Sequence, residues 1–340
     1  MTDTAMPDLD EFRARSRAFL EENAEPLMID GKDERDNQSV AHSRRFLKAL
    51  SEAGLAGLAY DTEYGGAGLD KTYERAWREV YARFPDCSGA FTISHGMCLP
   101  MLNEFGTEEQ KREFMPRAIS GEDMWCQMFS EPGAGSDVAS LQTKAMKDGD
   151  QWIINGQKVW TTLAHHSNYG IVIARTDPEV VKHAGISMFI VDMRDPAIEI
   201  RPIHQIDGGK HFNEVFFTDL AIPADWILGE YNAGWKQATA MLMYERVAIG
   251  TGSKSGITTP NYKRLRDQAV KLGRQDDPVV RQGLMKVYSE EVAKSLVSMR
   301  TRAEMKAGKA PGPGGSLGKL HGSNIMWMIR GSCTAWSASR

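Results

Sequence analysis

The sequence predicts an α+β protein of several domains: an N-terminal helical domain, a middle antiparallel β-barrel-like domain and a C-terminal helical bundle. Apolar residues recur with helical spacing through the first 125 residues. From Cys126 the spacing changes to short β-branched and aromatic runs, and helical spacing returns at Gly234. A chain of 340 residues suits two or three domains. We therefore expect domains over 1–125, 126–233 and 234–340.

Capping residues mark the helices of the N-terminal domain. Asp8 precedes a periodic apolar stretch, which predicts a helix that starts there and ends before Pro26. Thr107 is followed by two glutamates and Gln110, which places acceptors and negative charge at the positive end of a helix dipole. Helices are therefore expected over 43–53, 73–84 and 107–119, with a glycine-containing loop at 61–69.

Turn residues divide the middle domain into strands. Lys147-Asp148-Gly149-Asp150 is a strong hairpin signal. The apolar runs between turns are short, as strands are. They lie at 152–154, 170–174, 186–191 and 214–217. Beyond this module, a long helix is predicted from Trp235 to about Lys254, another from Asp277-Pro278, and a last one over 320–336.

Composition excludes several classes of function. The net charge is −4 and the pI is near 6.1, so the chain has no general attraction for nucleic acid. Its four cysteines form no CxxC pair, which argues against a metal ribbon or a disulfide framework and fits a reducing cytoplasm. The acidic N-terminus does not resemble a secretory signal, and no apolar run reaches the roughly 18 residues of a membrane span.

Two short segments carry the chemistry. Ser130-Glu131-Pro132-Gly133-Ala134-Gly135-Ser136-Asp137 packs turn formers, small residues and hydroxyls into one loop, and Lys158-Val159-Trp160-Thr161-Thr162 ends a strand-like run. Glycine lets backbone approach a ligand closely, and an indole can cover one face of a flat ring. Taken alone, the loop is consistent with an ordinary polar turn and Trp160 with a core aromatic. Together they predict a surface that holds a flat ring with polar edges.

These two segments closely resemble the flavin-binding segments of the acyl-CoA dehydrogenase family, which read TEPGAGSD and Trp-x-Thr. Tyr64-Gly65-Gly66-Ala67-Gly68 and Gly106-Thr107-Glu108-Glu109-Gln110-Lys111 are similar to further motifs of that family. The resemblance implies an FAD-dependent dehydrogenase that converts an acyl-CoA thioester to the 2-enoyl-CoA and passes electrons to an electron-transfer flavoprotein. It implies flavin contacts from Phe129, Ser130, Ser136, Trp160 and Thr162, with Ser136 also close to the bound thioester.

The helix after the β module offers a catalytic base. Trp235, Ala238, Leu242 and Glu245 follow steps of three and four, which places a carboxylate within an apolar stripe. A glutamate in such a place is more often paired with a cation or directed outward. Family members place the base at one of two positions, one of which is on this helix immediately before an Arg. The resemblance therefore implies that Glu245 is catalytic and that Arg246 lies near the substrate, although a structural ion pair remains an alternative for Arg246.

Other expectations concern metal, assembly and completeness. His165-His166 has no third ligand at metal-site spacing, so a solvated loop is the better interpretation.

The resemblance implies a dimer or tetramer, homomeric or heteromeric. Because family members carry further C-terminal helices, it also implies a truncated chain with an incomplete bundle. Two alternatives stay open: an inactive or scaffolding subunit of a heteromeric dehydrogenase, and an acyl-CoA oxidase that passes electrons to oxygen.

Overall fold

The structure is a computed structural model that describes residues 7–30, 35–250, 262–307 and 314–337. Side chains are described for these residues apart from 246–250, 302, 305–306, 314–315 and 329–337. The chain divides into two compact units, Met1–Glu245 and Arg246–Arg340. The first unit contains a helical region followed by a sheet, and the second consists of helices in its described part. The predicted combination of N-terminal helices, a curled middle sheet and C-terminal helices is confirmed.

The helical region begins with capped helices. Its α-helices are α1 (Leu9–Asn23), α2 (Arg35–Glu52), α3 (Lys71–Tyr81), α4 (Leu99–Phe105) and α5 (Glu108–Ile119), with a π-helical turn at Ser94–Cys98 before α4. The Asp8 side chain accepts hydrogen bonds from two amides of α1. Thr107 and Gln110 form a complete capping box on α5. Both predicted helix starts are therefore confirmed. In contrast, α2 starts at Arg35, well before the predicted 43. The prediction missed this start because Val40 and Ala41 are the only apolar residues of the first two turns.

The described middle region forms one seven-stranded sheet in the order β1-β4-β2-β3-β7-β6, with β5 on β4. The strands are β1 (Trp125–Met128), β2 (Lys144–Asp148), β3 (Gln151–Thr162), β4 (Tyr169–Arg175), β5 (Ile186–Asp192), β6 (Ile198–Ile203) and β7 (Phe212–Pro223). The hairpin signal is confirmed, since β2 and β3 pair antiparallel around Gly149, whose φ is 58°. Most neighbours are antiparallel as expected, but β4 runs parallel to β2 through one residue pair and to β1 along its length, with Trp125 opposite Tyr169. The sequence reasoning did not anticipate either parallel pairing.

Both faces of the central strands are buried. Along β4, Ile171 and Ile173 belong to the core shared with the helical region, whereas Val172 and Ala174 belong to a second core on the other face. This alternation follows from the two-residue period of a strand. It explains why β4 and β5 are almost continuous apolar runs: each face is covered by protein. An aromatic cluster closes the first core, with the Phe114 ring centroid of α5 lying 5.5 Å from Trp125 and 5.2 Å from Tyr169.

Helix α6 (Gly234–Gly250) begins directly on the sheet. A side-chain carbon at Gly234 would lie 2.7 Å from the Ile186 carbonyl oxygen, so only glycine allows this close approach. Gln237, Ala238 and Met241 are buried, and Gln237 donates a 2.7 Å hydrogen bond to the Leu228 carbonyl. The first turns of α6 are thereby fixed to the sheet.

The second unit contains α7 (Tyr262–Lys271), α8 (Pro278–Lys306) and α9 (Gly314–Ser337). Asp277 caps α8 by accepting hydrogen bonds from the Val279 and Val280 amides, which confirms the predicted start at Asp277-Pro278. A small core holds these helices together, formed by Leu265, Ala269, Val280, Leu284, Val287 and Ile325. Within the described residues, none of the helices combines the length and hydrophobicity needed to cross a membrane.

Candidate functional site

The loop Ser130–Asp137 follows β1 and is closed by its own backbone. The Glu131 and Ala134 amides and carbonyls exchange two hydrogen bonds of 3.0 and 3.1 Å. Phe129 is buried before the turn, whereas Ser136 is exposed after it. A side-chain carbon built at Gly133 or Gly135 would meet no atom within 4 Å. One side of the loop is therefore open, so that a ligand can reach its backbone amides and the hydroxyl of Ser136.

Trp160 is held in a strained conformation. Its φ is 63°, in the left-handed region that non-glycine residues rarely adopt. The pairing of β3 with β7 shifts register between Lys158 and Thr161, which is a bulge that redirects the strand. The indole is 59% exposed and lies edge-on to Phe212, with 6.2 Å between ring centroids. A large aromatic ring turned outward by a strained residue is typical of a ligand-binding surface.

The loop and the Trp160 strand are joined directly. The Val159 amide donates a 2.9 Å hydrogen bond to the Ser130 carbonyl. Next to it, the Lys158 Nζ donates to Glu131 Oε1 at 2.8 Å and to the Phe129 carbonyl at 3.2 Å. The structure thus brings together the segments that contain Phe129, Ser130 and Trp160.

The Lys158–Glu131 ion pair is buried, with the two side chains 0% and 6% exposed. Burial lowers the pKa of the Lys158 ammonium to about 8, and the Glu131 charge opposes that shift. Burial by itself would raise the pKa of Glu131, but the Lys158 charge and donated hydrogen bonds hold the pKa below its usual value. The sequence reasoning missed this pair. Its signal is that Lys158 shares strand parity with the inward residues Trp152 and Ile154.

The two threonines after Trp160 have different surroundings. Thr161 is 2% exposed, and its buried hydroxyl has no hydrogen-bond partner among the described residues. Thr162 is half-buried and pairs with Phe212 of β7. Since successive strand residues point to opposite sides, Thr162 lies on the other side of the strand from Thr161.

Glu245 lies two turns beyond the buried start of α6. It is half-buried. The adjacent Tyr244 hydroxyl donates a 2.7 Å hydrogen bond to the Glu104 carboxylate of α4, which fixes this turn against the helical region. Of the predicted apolar stripe, Ala238 is buried, and Trp235 and Leu242 are half-buried against the core. The Arg246 side chain lies outside the described residues.

A cavity of about 220 Å³ lies within the helical region. Its wall combines apolar residues such as Leu50, Ala56 and Leu99 with polar groups from Tyr60 and His95. Burial lowers the pKa of His95, and a ring nitrogen lies 2.8 Å from the Ala118 carbonyl, so the ring is neutral and donates there. An engineered cavity of about 150 Å³ can hold benzene, so this volume is sufficient for a small apolar group.

The histidine pair after the Trp160 segment lies near the end of the sheet. The His165 and His166 ring centroids are 4.2 Å apart, and His165 Nδ1 is 2.9 Å from the Asn213 side-chain oxygen. Burial, followed by the neighbouring His165, lowers the pKa of His166 to about 4. Among the described residues, no group of three or more His, Cys, Asp or Glu side chains could hold a metal ion.

Comparisons with known proteins agree with this architecture. Residues 6–122 match the family model for the acyl-CoA dehydrogenase N-terminal domain, and residues 126–220 match that for the middle domain. The chain is 39% identical over 288 residues to the acyl-CoA dehydrogenase IpdE1 of Mycobacterium tuberculosis (strain ATCC 25618 / H37Rv), covering 84% of this chain and 74% of that protein.

Solved structures with a similar fold include two complexes. The Tcur3481-Tcur3483 steroid ACAD is 28% identical, with a TM-score of 0.78 over 99% of this chain and 87% of the matched chain. The ChsE4-ChsE5 complex from Mycobacterium tuberculosis is also 28% identical, with a TM-score of 0.71 over 96% of this chain and 83% of the matched chain. From its domains, its motifs and these relatives, the chain belongs to the acyl-CoA dehydrogenase family.

Proposed function

We propose that the protein is an FAD-dependent acyl-CoA dehydrogenase that converts an acyl-CoA thioester to the 2-enoyl-CoA. The observation that carries this proposal is the exposed indole of Trp160, held at a φ of 63° beside the Ser130–Asp137 loop. Members of the family are FAD-dependent flavoproteins, so a flavin is the ligand that this pair of segments is expected to hold.

The residues present fit a flavin. The ring needs an aromatic or apolar face and hydrogen-bond donors at its polar edge. Trp160 provides the exposed face, and the loop offers open backbone at Gly133 and Gly135. We therefore assign Phe129, Ser130, Ser136, Trp160 and Thr162 to FAD binding. When bound, FAD supplies the acceptor for the hydride that leaves the β carbon.

Glu245 is the proposed base. Its carboxylate would take the α proton of the thioester, which is acidified by the adjacent carbonyl. Exclusion of water when acyl-CoA binds would make the half-buried carboxylate more basic. Ser136 and Arg246 are proposed to contact the substrate, with the exposed Ser136 hydroxyl available on the loop.

The distal end of the acyl group is proposed to reach the cavity bordered by His95 and Leu99. Its volume of about 220 Å³ suits a bulky or branched apolar group, and apolar residues such as Leu50 and Leu99 line it together with polar and charged ones. An electron-transfer flavoprotein is the proposed acceptor of the electrons, and the working form is proposed to be an oligomer.

The decisive experiment is anaerobic. Purified protein with bound FAD is titrated with a panel of acyl-CoA thioesters, and bleaching of the visible flavin absorption is recorded. Bleaching by at least one thioester, together with formation of the enoyl-CoA, supports the proposal. Protein that binds FAD but is reduced by no thioester in the panel contradicts it. Peroxide formed in air at the full turnover rate would instead indicate the oxidase.

A second candidate is a subunit that works only with a partner chain. The similarity to one chain each of the Tcur3481-Tcur3483 and ChsE4-ChsE5 complexes favours it. Co-expression with a related chain distinguishes this subunit from a dehydrogenase that works alone. A protein that is colourless alone and yellow only in the complex indicates the subunit, whereas flavin in the protein purified alone supports the dehydrogenase.

A further inference from the structure

Among the ion pairs between described residues, Lys158–Glu131 is the pair in which both side chains are nearly inaccessible, at 0% and 6% exposure. A buried ion pair is a poor stabiliser, because removing both charges from water offsets most of their attraction. Replacing such a pair with apolar or neutral residues of similar volume is often neutral for stability. Stability alone therefore does not explain why an ion pair is buried at this position.

The pair connects three segments at one point. Glu131 accepts hydrogen bonds from the Lys158 ammonium at 2.8 Å, the Gln142 amide at 2.6 Å and the Thr143 amide at 3.0 Å. Lys158 also donates to the Phe129 carbonyl at 3.2 Å. The Val159 amide and the Ser130 carbonyl lie between these contacts and are 2.9 Å apart. Three consecutive residues, 129–131, are thus fixed to two consecutive residues of β3.

These contacts lie immediately beside the strained residue. Trp160 follows Lys158 by two positions, and the register shift of β3 lies between Lys158 and Thr161. A left-handed φ at a bulky residue persists only where the surrounding structure determines it. The anchored Lys158 and Val159 hold the strand on one side of the bulge, and the β7 pairing of Thr161 holds it on the other.

We propose that Lys158 and Glu131 are positioning residues of the flavin site, whose buried ion pair sets the spacing between the Ser130–Asp137 loop and the Trp160 ring. This inference rests on the proposed function, because it takes FAD as the molecule held between them. Because both side chains are buried, we assign them a positioning role rather than a contact with the flavin. Their role is to keep the loop amides and the indole in the arrangement that binds it, before the flavin arrives.

The test compares FAD affinity with the stability of the apoprotein. The double variant Lys158→Met with Glu131→Gln removes both charges and keeps similar side-chain volumes. The single amide oxygen of Glu131→Gln can accept from only one of the Gln142 and Thr143 amides. We expect the apoprotein Tm to change by a few degrees at most, the Kd for FAD to rise at least tenfold and the visible dichroism of bound FAD to change. Amide hydrogen exchange in residues 130–137 of the apoprotein should become faster.

Arg117→Met with Asp123→Asn is the matched control. This pair forms two hydrogen bonds, at 2.7 and 3.1 Å, and Asp123 is 3% exposed, but it lies before β1 and away from the loop. The control is expected to lower the Tm and to leave the Kd for FAD within twofold of wild type. If the double variant does not fold, Lys158→Arg and Glu131→Gln are measured singly. We then expect the Kd to rise at least threefold for Glu131→Gln, and less for Lys158→Arg, which keeps the charge.

Each outcome is informative. An unchanged Kd and unchanged dichroism in a folded variant overturn this proposal alone and leave the proposed function standing. Wild-type protein that binds no FAD overturns the proposed function and this proposal together. Equal losses of FAD affinity in the Lys158–Glu131 variant and the control overturn the positioning role, because they indicate a general effect of removing a buried charge.

Discussion

The Val159 amide donates its hydrogen bond to the Ser130 carbonyl, so the two segments that the sequence singles out are joined through their backbones. Because both partners are backbone groups, this hydrogen bond does not depend on which side chains these two residues carry. It places the open loop next to the turn at which the chain bends to expose the Trp160 indole. The fold of this one chain therefore brings together the loop and the indole that are proposed to hold the flavin.

Replacing Trp160 with glycine should weaken FAD binding while leaving the stability of the protein almost unchanged. Glycine adopts a φ of 63° without the roughly 1–2 kcal/mol that a larger residue loses there, although it gains more freedom on unfolding. We expect the free energy of unfolding to stay within about 1 kcal/mol of wild type, while FAD affinity falls at least tenfold. Denaturant-induced unfolding measures the free energy of unfolding, and quenching of flavin fluorescence measures the affinity for FAD. Asp219→Gly, at another left-handed residue, is the control and should leave FAD affinity unaltered.

Glu245→Gln should abolish most of the flavin reduction by acyl-CoA. The amide cannot accept the α proton, and general base catalysis is worth about a hundredfold to ten-thousandfold in rate. The visible spectrum of bound FAD should be unchanged, because Glu245 is not assigned to flavin binding. Anaerobic stopped-flow traces measure the reduction. Reduction at the wild-type rate would show that another group is the base. Glu230→Gln, in the segment before α6, is the control.

Stability should fall as the pH decreases from about 7 towards 4. The pKa of His166 is lowered to about 4 in the folded protein, whereas in the unfolded chain it is near 6.5. Between those values the unfolded state binds a proton that the folded state does not, so acid favours unfolding. After allowance for solvent screening of this half-buried ring, the effect is about 1–2 kcal/mol. His166→Gln should reduce the pH dependence measured by urea unfolding, and His204→Gln, at an exposed histidine, should not.

Gln110→Ala should destabilise the first unit. The Gln110 side chain is 4% exposed and donates hydrogen bonds to the Asp225 and Ile227 carbonyls at 2.6 and 3.0 Å. Alanine removes the hydrogen-bond donor to both carbonyls and half of the capping box, a loss of about 2–3 kcal/mol. Thermal unfolding detects it as a lower Tm. Gln142→Ala, on an exposed side chain, should change the Tm little, and equal losses would argue against the role of burial.

Ala56→Phe tests the cavity as the place of the acyl end. Ala56 is buried in its wall, and a phenyl ring would take up much of the 220 Å³. We expect kcat/KM for long or branched acyl-CoA thioesters to fall about tenfold and that for short ones to change less than twofold. Ala82→Phe, exposed at the end of α3, is the control. An equal fall for all chain lengths would show that the acyl group does not reach this cavity.

The helix caps and the turn that the sequence predicts correctly depend on residues that are close together in the chain. Asp8, Thr107 and Asp277 cap helices because their side chains bond to amides a few residues away, so the signal is contained in short segments. The turn at Gly149 is equally local. The loop and the Trp160 segment are recognised for the same reason, as two short stretches of unusual composition.

Features that depend on distant residues leave little trace in the sequence. Pairing of Trp125 with Tyr169 joins positions far apart along the chain, and neither strand signals that its partner is parallel. Strand parity indicates an inward Lys158 side chain, but its partner Glu131 becomes evident only when the fold places the two side chains together. The assignments of Glu245 and of the flavin contacts stay predictions, because they depend on molecules that bind at the site.

The parallel pairing of β1 with β4 also bears on the order of events during folding. The β2–β3 hairpin separates β1 from β4 in the sequence, so β1 gains this parallel neighbour only by a distant closure, and such closures are slow. Because only Phe129 separates β1 from Ser130, we expect this pairing to fix where the loop lies. If FAD binds at this loop, as proposed, we expect it to be taken up only by chains in which β1 has already paired with β4.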